Sequence, residues 1–206
     1  AELKLRQKRT LALWLSRISL PSMYVAQNAL VSMMPTLPSV QALSVTAQTA
    51  LMSIWLLVRC AAFVILGYTV FLHTRPKLLL LACFMLLVAF LAIALPPSQW
   101  MTATSTTDRV CIILAQVVLG ISMGMIYAAS LYFGMVLSEG STEHGGYHEA
   151  LIGLGFVLGP GAALVTQWIA PGNVNASIYA VGGVVTFSLM LASGASVRFG
   201  KVRSGS

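Results

Sequence analysis

Six long apolar stretches constrain this sequence more than any other feature. They run from about Thr10 to Met34, Val45 to Leu72, Leu78 to Leu95, Val110 to Leu137, Tyr147 to Ile169 and Ser177 to Val197. Pro35 and Pro38 close the first, Pro96-Pro97 the third, and Pro171-Gly172 the fifth. A helix that crosses the hydrocarbon core of a bilayer needs about 20 predominantly apolar residues. These runs are continuous, whereas a membrane barrel would show segments of about ten residues alternating apolar and polar. Helices also satisfy their backbone polar groups segment by segment, as lipid demands. The expected fold is therefore all-α: a polytopic membrane protein with six transmembrane helices over residues 10–197. Short basic tails, residues 1–9 and 198–206, flank them.

Composition agrees. Of 206 residues, 58% are hydrophobic and only 8% charged, and the mean hydropathy is +0.87. A soluble domain carries about 25% charged residues, so too few remain here to coat a water-facing surface. The chain starts at Ala1, as a processed chain or a fragment would. Its first ten residues, AELKLRQKRT, are too charged for the core of a secretory signal.

Lys and Arg set the orientation. Lys4, Arg6, Lys8 and Arg9 precede the first stretch, Arg75 and Lys77 follow the second, and Arg198, Lys201 and Arg203 follow the sixth. With alternating helices all of these fall on one side, against Arg109 alone on the other. Both termini are thus expected in the cytoplasm. Topology and anionic lipid account for the net charge of +7. The basic residues are dispersed and no nucleic-acid motif accompanies them, so no nucleic-acid partner is expected.

The connections are short. The longest on the cytoplasmic side is Ser138 to Glu149, SEGSTEHGGYHE, and no soluble domain fits between helices. Cys60, Cys83 and Cys111 lie in or at the ends of helices, without metal spacing or a disulfide framework. The sequon Asn175-Ala176-Ser177 lies at a membrane edge and reads as a turn and helix cap. No GxSxG, HExxH or P-loop occurs, so nothing supports an enzyme, and no cofactor is implied.

An ionisable group within a membrane is costly and marks a functional hypothesis. Arg59 lies near the middle of the second helix, with Gln48, Met52 and Trp55 on its face at helical spacing. Arg17 lies in the cytoplasmic half of the first helix; Tyr24 and Asn28 share its face and Gln27 lies at the edge. Pro21 loosens that helix by freeing a carbonyl. On the fourth helix Gln116, Met123, Tyr127, Ser130 and Gly134 form a third stripe, and Gly120 and Gly124 have the GxxxG spacing of close helix contacts. The fifth opens with His148 and Glu149 and continues as GLGFVLGPG, Gly153 to Gly161. The third and sixth helices carry no charge within their spans, and the third reads as lipid-facing throughout.

Each feature has a plainer reading. Arg17 reads equally well as a side chain that snorkels to the interface. Arg59 lies too deep for that and points to a lined cavity or a buried partner. Tyr24, Met123 and Tyr127 serve as packing residues as readily as site residues. Gly120, Gly124, Gly153, Gly155 and Gly159 read as packing. His144 and His148, beside Glu139, Glu143 and Glu149, suggest a metal site, but Gly145-Gly146 between them argues against a helical i,i+4 pair, so no metal is expected.

With these features in place, the chain resembles the C-terminal six-helix half of a major facilitator superfamily transporter. The basic tail leading into a polar first helix resembles the linker and seventh helix of that family. GYTVFLHTRPKLLL, Gly67 to Leu81, resembles a degenerate second copy of the family's short cytoplasmic loop motif. It keeps Gly67, Arg75 and Lys77 as gating-loop residues but lacks the acidic residue and second glycine. HEALIGLGFVLGPGAAL, His148 to Leu164, resembles the eleventh-helix segment of bacterial members.

The resemblance implies two inverted three-helix repeats, divided near residue 95, in a bacterial inner membrane. The first, second, fourth and fifth helices would line a cavity; the third and sixth would be peripheral. A small solute would meet Arg17, Tyr24, Gln27, Asn28, Gln48, Trp55, Arg59, Gln116, Tyr127 and Ser130. No Asp or Glu sits in the middle of a helix, so proton coupling would fall to Glu149 at the membrane edge or to residues outside this chain. A transporter of this type has about twelve helices. The partner beyond lipid is then a second six-helix half, in the same longer chain or another. The alternative is a non-transporting subunit packed in a larger membrane complex.

Overall fold

The computed structural model describes residues 2–69, 75, 77–138 and 142–204, with backbone alone for residues 2–4, 138, 174 and 198–204. Six long helices dominate: α1 (Glu2–Met33), α2 (Val45–Gly67), α3 (Leu78–Ala94), α4 (Ser105–Ser138), α5 (Thr142–Ile169) and α6 (Val174–Ser204). A 3₁₀ turn (Met34–Thr36) and a one-turn helix (Pro38–Gln41) join α1 to α2, and a second 3₁₀ turn (Pro97–Gln99) follows α3. The described residues contain no strand.

Among the described residues, four helices are long and apolar enough to cross a membrane: α2, α4 over Ser105–Leu137, α5, and α6 over Asn175–Val197. α3 is as apolar but has 17 residues. α1 has 32 residues but is interrupted by polar ones. Three of these, Ser16, Ser19 and Ser22, are buried. Each donates its hydroxyl to a carbonyl of its own helix, to Leu13 at 2.8 Å, Leu15 at 2.6 Å and Ser19 at 2.8 Å respectively. This self-satisfaction lets a polar helix occupy the core.

The helices form two rows. In the front row α2 packs on α4, α4 on α1, and α1 on α5. Behind, α3 packs on α4, α1 and α6, and α6 on α1, α3 and α5. Exchanging α1 with α4, α2 with α5 and α3 with α6 carries the main pairings α1–α5 and α1–α6 onto α4–α2 and α4–α3.

Two glycine seams fix the front row. A Cβ on Gly120 of α4 would lie 2.7 Å from the Trp55 carbonyl oxygen and 2.8 Å from Val58 Cβ, and one on Gly124 would lie 2.7 Å from Ala62 Cβ. A Cβ on Gly155 of α5 would lie 2.5 Å from Tyr24 Cβ and 2.7 Å from the Pro21 oxygen, and one on Gly159 would lie 3.2 Å from Asn28 Cβ. Only glycine permits the approaches at Gly120, Gly124 and Gly155, and at Gly159 a larger residue would be tight. Gly153 faces open space, so it does not pack as expected.

Four other features depart from expectation. The basic segments flanking the bundle are helical extensions of α1 and α6, since Lys and Arg favour a helix once it leaves apolar surroundings. The stretch from Thr142 to Glu149 belongs to α5 and not to a loop, so the connection from α4 shrinks to residues 139–141, which lie outside the described residues. α3 is not lipid-facing throughout: Leu79, Ala82, Cys83, Leu86, Ala89, Phe90, Ile93 and Ala94 are buried. Finally, Asn173 rather than Asn175 caps α6, its Oδ1 accepting from the Ala176 amide at 3.2 Å.

Candidate functional site

Arg59 is half-buried midway along α2. Its Nη1 donates to Gln27 Oε1 at 3.3 Å, and its Nη2 to the Tyr24 hydroxyl oxygen at 3.1 Å. Both acceptors are neutral and both come from α1. Its Cζ lies 5.2 Å from the Tyr127 ring centroid and 5.7 Å from those of Tyr24 and Phe63. A guanidinium within about 6 Å of an aromatic face is attracted by the ring quadrupole. Three rings and two hydrogen bonds thus hold the cation, with no negative charge among its contacts to the described residues. The chain carries five carboxylic acids in all, at positions 2, 108, 139, 143 and 149, and none lies within α1's polar stripe, α2 or the middle of α4.

The cluster continues toward α5. Tyr127 makes edge contacts with Phe63 and with His148, each at 5.0 Å between centroids. His148 is 6% exposed; its Nδ1 lies 3.0 Å from Ser130 Oγ, and its Nε2 is buried without a hydrogen-bond partner. Phe156 of α5 packs on Tyr24 at 5.2 Å. One connected set, Gln27–Tyr24–Arg59–Tyr127–His148–Ser130, therefore joins α1, α2, α4 and α5.

The glycine seams build this set. Gly155 lets Pro21 and Tyr24 press against α5, which sets the phenol of Tyr24. Gly124 lies 3.6 Å, at its would-be Cβ, from the Arg59 carbonyl oxygen, which sets the guanidinium. A cationic group with neutral partners can exchange one of them for an anion, since a carboxylate adds charge–charge attraction and can accept two parallel bonds from one guanidinium.

The remaining expected residues lie elsewhere. The Trp55 amide lies 3.4 Å from Gln116 Oε1, and the Gln116 Nε2 is buried without a partner; this pair sits a turn or more from Arg59. Asn28 donates to the Tyr24 carbonyl at 2.9 Å. Gln48 turns to the preceding connection, donating to the Leu43 carbonyl at 3.0 Å, because that carbonyl lies beyond the end of any helix. Arg17 stands apart from Arg59, with its Cζ 5.3 Å from the Tyr147 ring centroid. Glu149 is exposed. Gly67, Arg75 and Lys77 are exposed at the end of the bundle that carries the termini, and residues 70–74 and 76 of that connection lie outside the described residues.

Phe63, Phe156 and His148 were not singled out by sequence as members of this cluster. Phe63 lies one turn beyond Arg59, and Phe156 lies within the glycine-rich run of α5. His144 and His148 do form an i,i+4 pair, because α5 is helical through Gly145-Gly146. The described residues hold no group of three or more metal-ligating side chains.

A separate groove of about 520 Å³ lies toward the opposite end, between α1, α5, α6 and Phe90 of α3. Its wall is mostly carbon, with Asn28, Ser32, Thr36 and Gln167 among its few polar residues.

No protein family, no curated protein and no solved structure matches the chain.

Proposed function

We propose that this chain is one six-helix half of a secondary transporter of the major facilitator type, moving a small anionic solute by alternating access across a bacterial inner membrane. It does so without enzymatic chemistry. All six long helices would span, with both termini in the cytoplasm. The observation that carries the reading is the Arg59 cluster: a mid-helix cation, held by neutral groups from α1 and α4, on the row of helices α2–α4–α1–α5. A half-buried cation with no charged partner among the described residues is costly in a membrane, and a solute that arrives with a negative charge lowers that cost.

Two further observations support it. The exchange of α1–α3 with α4–α6 preserves the principal helix pairings, as two inverted three-helix repeats require. The flanking helices α2 and α5 also leave much of their apolar surface open, including Leu56, Leu57, Val64, Phe156, Val157 and Leu164. A second half would cover part of this surface, and lipid the rest. Arg59, Tyr24, Gln27 and Tyr127 would hold the solute, Trp55 and Gln116 would line its path, and Gly67, Arg75 and Lys77 would belong to a gating loop between α2 and α3.

The test is flux. Arg59→Ala, made in the intact protein in sealed vesicles, is expected to reduce uptake of small anions by about tenfold or more, equivalent to about 1.4 kcal/mol of lost interaction. Unchanged uptake and unchanged affinity would refute the reading. It would leave the alternative, a non-transporting subunit whose polar cluster is a contact inside a larger complex.

A further inference from the structure

His148 differs from an ordinary core histidine. A structural imidazole has both nitrogens satisfied. Here Nδ1 pairs with Ser130 Oγ at 3.0 Å while Nε2 is buried and unpartnered. The Ser130 hydroxyl can donate to Nδ1 or accept from it, so it serves the neutral ring and the imidazolium alike. The pairing therefore does not lock the ring in one protonation state. The ring also meets the edge or face of Tyr127 at 5.0 Å and 79°, and Arg59 Cζ lies 5.2 Å from that same Tyr127 ring.

We propose that His148 is a proton-binding residue whose charge is coupled, through Tyr127, to occupation of Arg59 by a carboxylate. The proposal rests on the reading of Arg59 as an anion site and adds its regulation. With Arg59 unoccupied, a proton on His148 places a second cation beside the ring that already attracts the first, and the two repel. A carboxylate on Arg59 cancels one of those charges and makes the imidazolium favourable. By thermodynamic reciprocity the imidazolium then strengthens carboxylate binding by the same factor. The anion and the proton enter together, as a neutral pair.

The other groups around His148 fit this account. From α4 come Tyr127 and Ser130, and from α2 comes Arg59, reached across Tyr127. From α1, Arg17 lies over the Tyr147 ring at 5.3 Å, one residue away along α5. On α5 itself His144 lies one turn before. Glu149 follows, exposed. α6 meets α5 at Thr166 and Ser177, at the far end of the helix. The geometry thus places the proton on a buried imidazole rather than on the exposed carboxylate beside it. The three rings around Arg59 suit a flat carboxylate, and benzoate is the probe.

The experiment is a ¹³C-histidine NMR titration of the protein in lipid nanodiscs, with and without saturating benzoate, the His148 signal being assigned by its loss in His148→Gln. Its midpoint is expected to rise by about one pH unit with benzoate, a tenfold gain in proton affinity. Benzoate should bind about tenfold tighter below the midpoint than above it, and that ratio should fall to about one in His148→Gln. Arg59→Gln should raise the midpoint without benzoate and abolish the effect of adding it. A His148 midpoint that benzoate does not move, or no benzoate binding at either pH, overturns the proposal. The wild-type titration needs no variant to fold. It also separates the two claims: a benzoate-linked midpoint without benzoate uptake in vesicles upholds the proton site and refutes transport. Uptake with an unmoved midpoint refutes the proton site alone.

Discussion

The two glycine seams join their helices in the same parallel sense but place the glycines differently. Between α2 and α4 they belong to the central helix, as Gly120 and Gly124. Between α1 and α5 they belong to the flanking helix, as Gly155 and Gly159. In each case the partner without glycines carries a site residue into the close contact: Arg59 on α2 and Tyr24 on α1. The seams therefore do more than hold the front row together. They bring a guanidinium from one flank and a phenol from the centre to 3.1 Å of each other. The flanks themselves remain open. Half of α4's most apolar window is buried in the bundle, but 11% of α5's is. A helix so apolar and so little covered is in contact with lipid or with another protein along most of its length.

The sharpest way to break this comparison is to close a seam. Gly155→Val should lower stability by about 3 kcal/mol, the upper part of the range for overpacking, because the new atoms would meet Pro21 backbone. Gly153→Ala, two residues away in open space, should be neutral or stabilising by up to about 1 kcal/mol, as helical propensity predicts. Thermal unfolding in detergent followed by circular dichroism compares them; equal losses would show that the seam does not position α5. The Arg59→Ala flux measurement asks whether the cluster so positioned binds solute.

Smaller effects sharpen the picture. Tyr24→Phe removes one bond to the guanidinium and should cost about 1–2 kcal/mol of anion affinity, read by isothermal titration with benzoate. Ser130→Ala should cost about 1 kcal/mol of stability by depriving His148 Nδ1 of its partner, read in the same unfolding assay. At the opposite end, Asp108 accepts from the Ser98 amide at 3.0 Å and from the Ser98 hydroxyl. Asp108→Asn should cost about 1 kcal/mol of stability without altering benzoate affinity, since this latch touches neither seam.

The helices were legible because lipid selects for long uninterrupted apolar runs, and Pro35, Pro96 and Pro171 mark where three of them stop. Arg59, Tyr24, Gln27 and Tyr127 were legible as stripes, since a mid-helix polar residue needs a polar neighbour. Which stripes meet was not. Gln48 shares Arg59's helical face, yet its carboxamide is claimed by the Leu43 carbonyl just outside the helix. His148 was weighed only as a metal ligand, with Gly145-Gly146 against a helix there; tertiary contacts override the poor propensity of those glycines, since His148 meets Ser130 and Tyr147 meets Arg17. α3 misled for the opposite reason. Every face of LLLLACFMLLVAFLAIA is apolar, so no amphipathic pattern distinguishes the side against α4 from the side facing away from the bundle.

The most direct test of the central claim, that the front row meets a second six-helix half, is native mass spectrometry of the particle released from its membrane under mild conditions. The account predicts either a single polypeptide of roughly twice 21.9 kDa containing this sequence, as about twelve helices require, or this chain paired with another six-helix chain. This chain held in fixed ratio among unrelated membrane subunits would contradict it, and the Arg59 cluster would then be sought at a subunit contact.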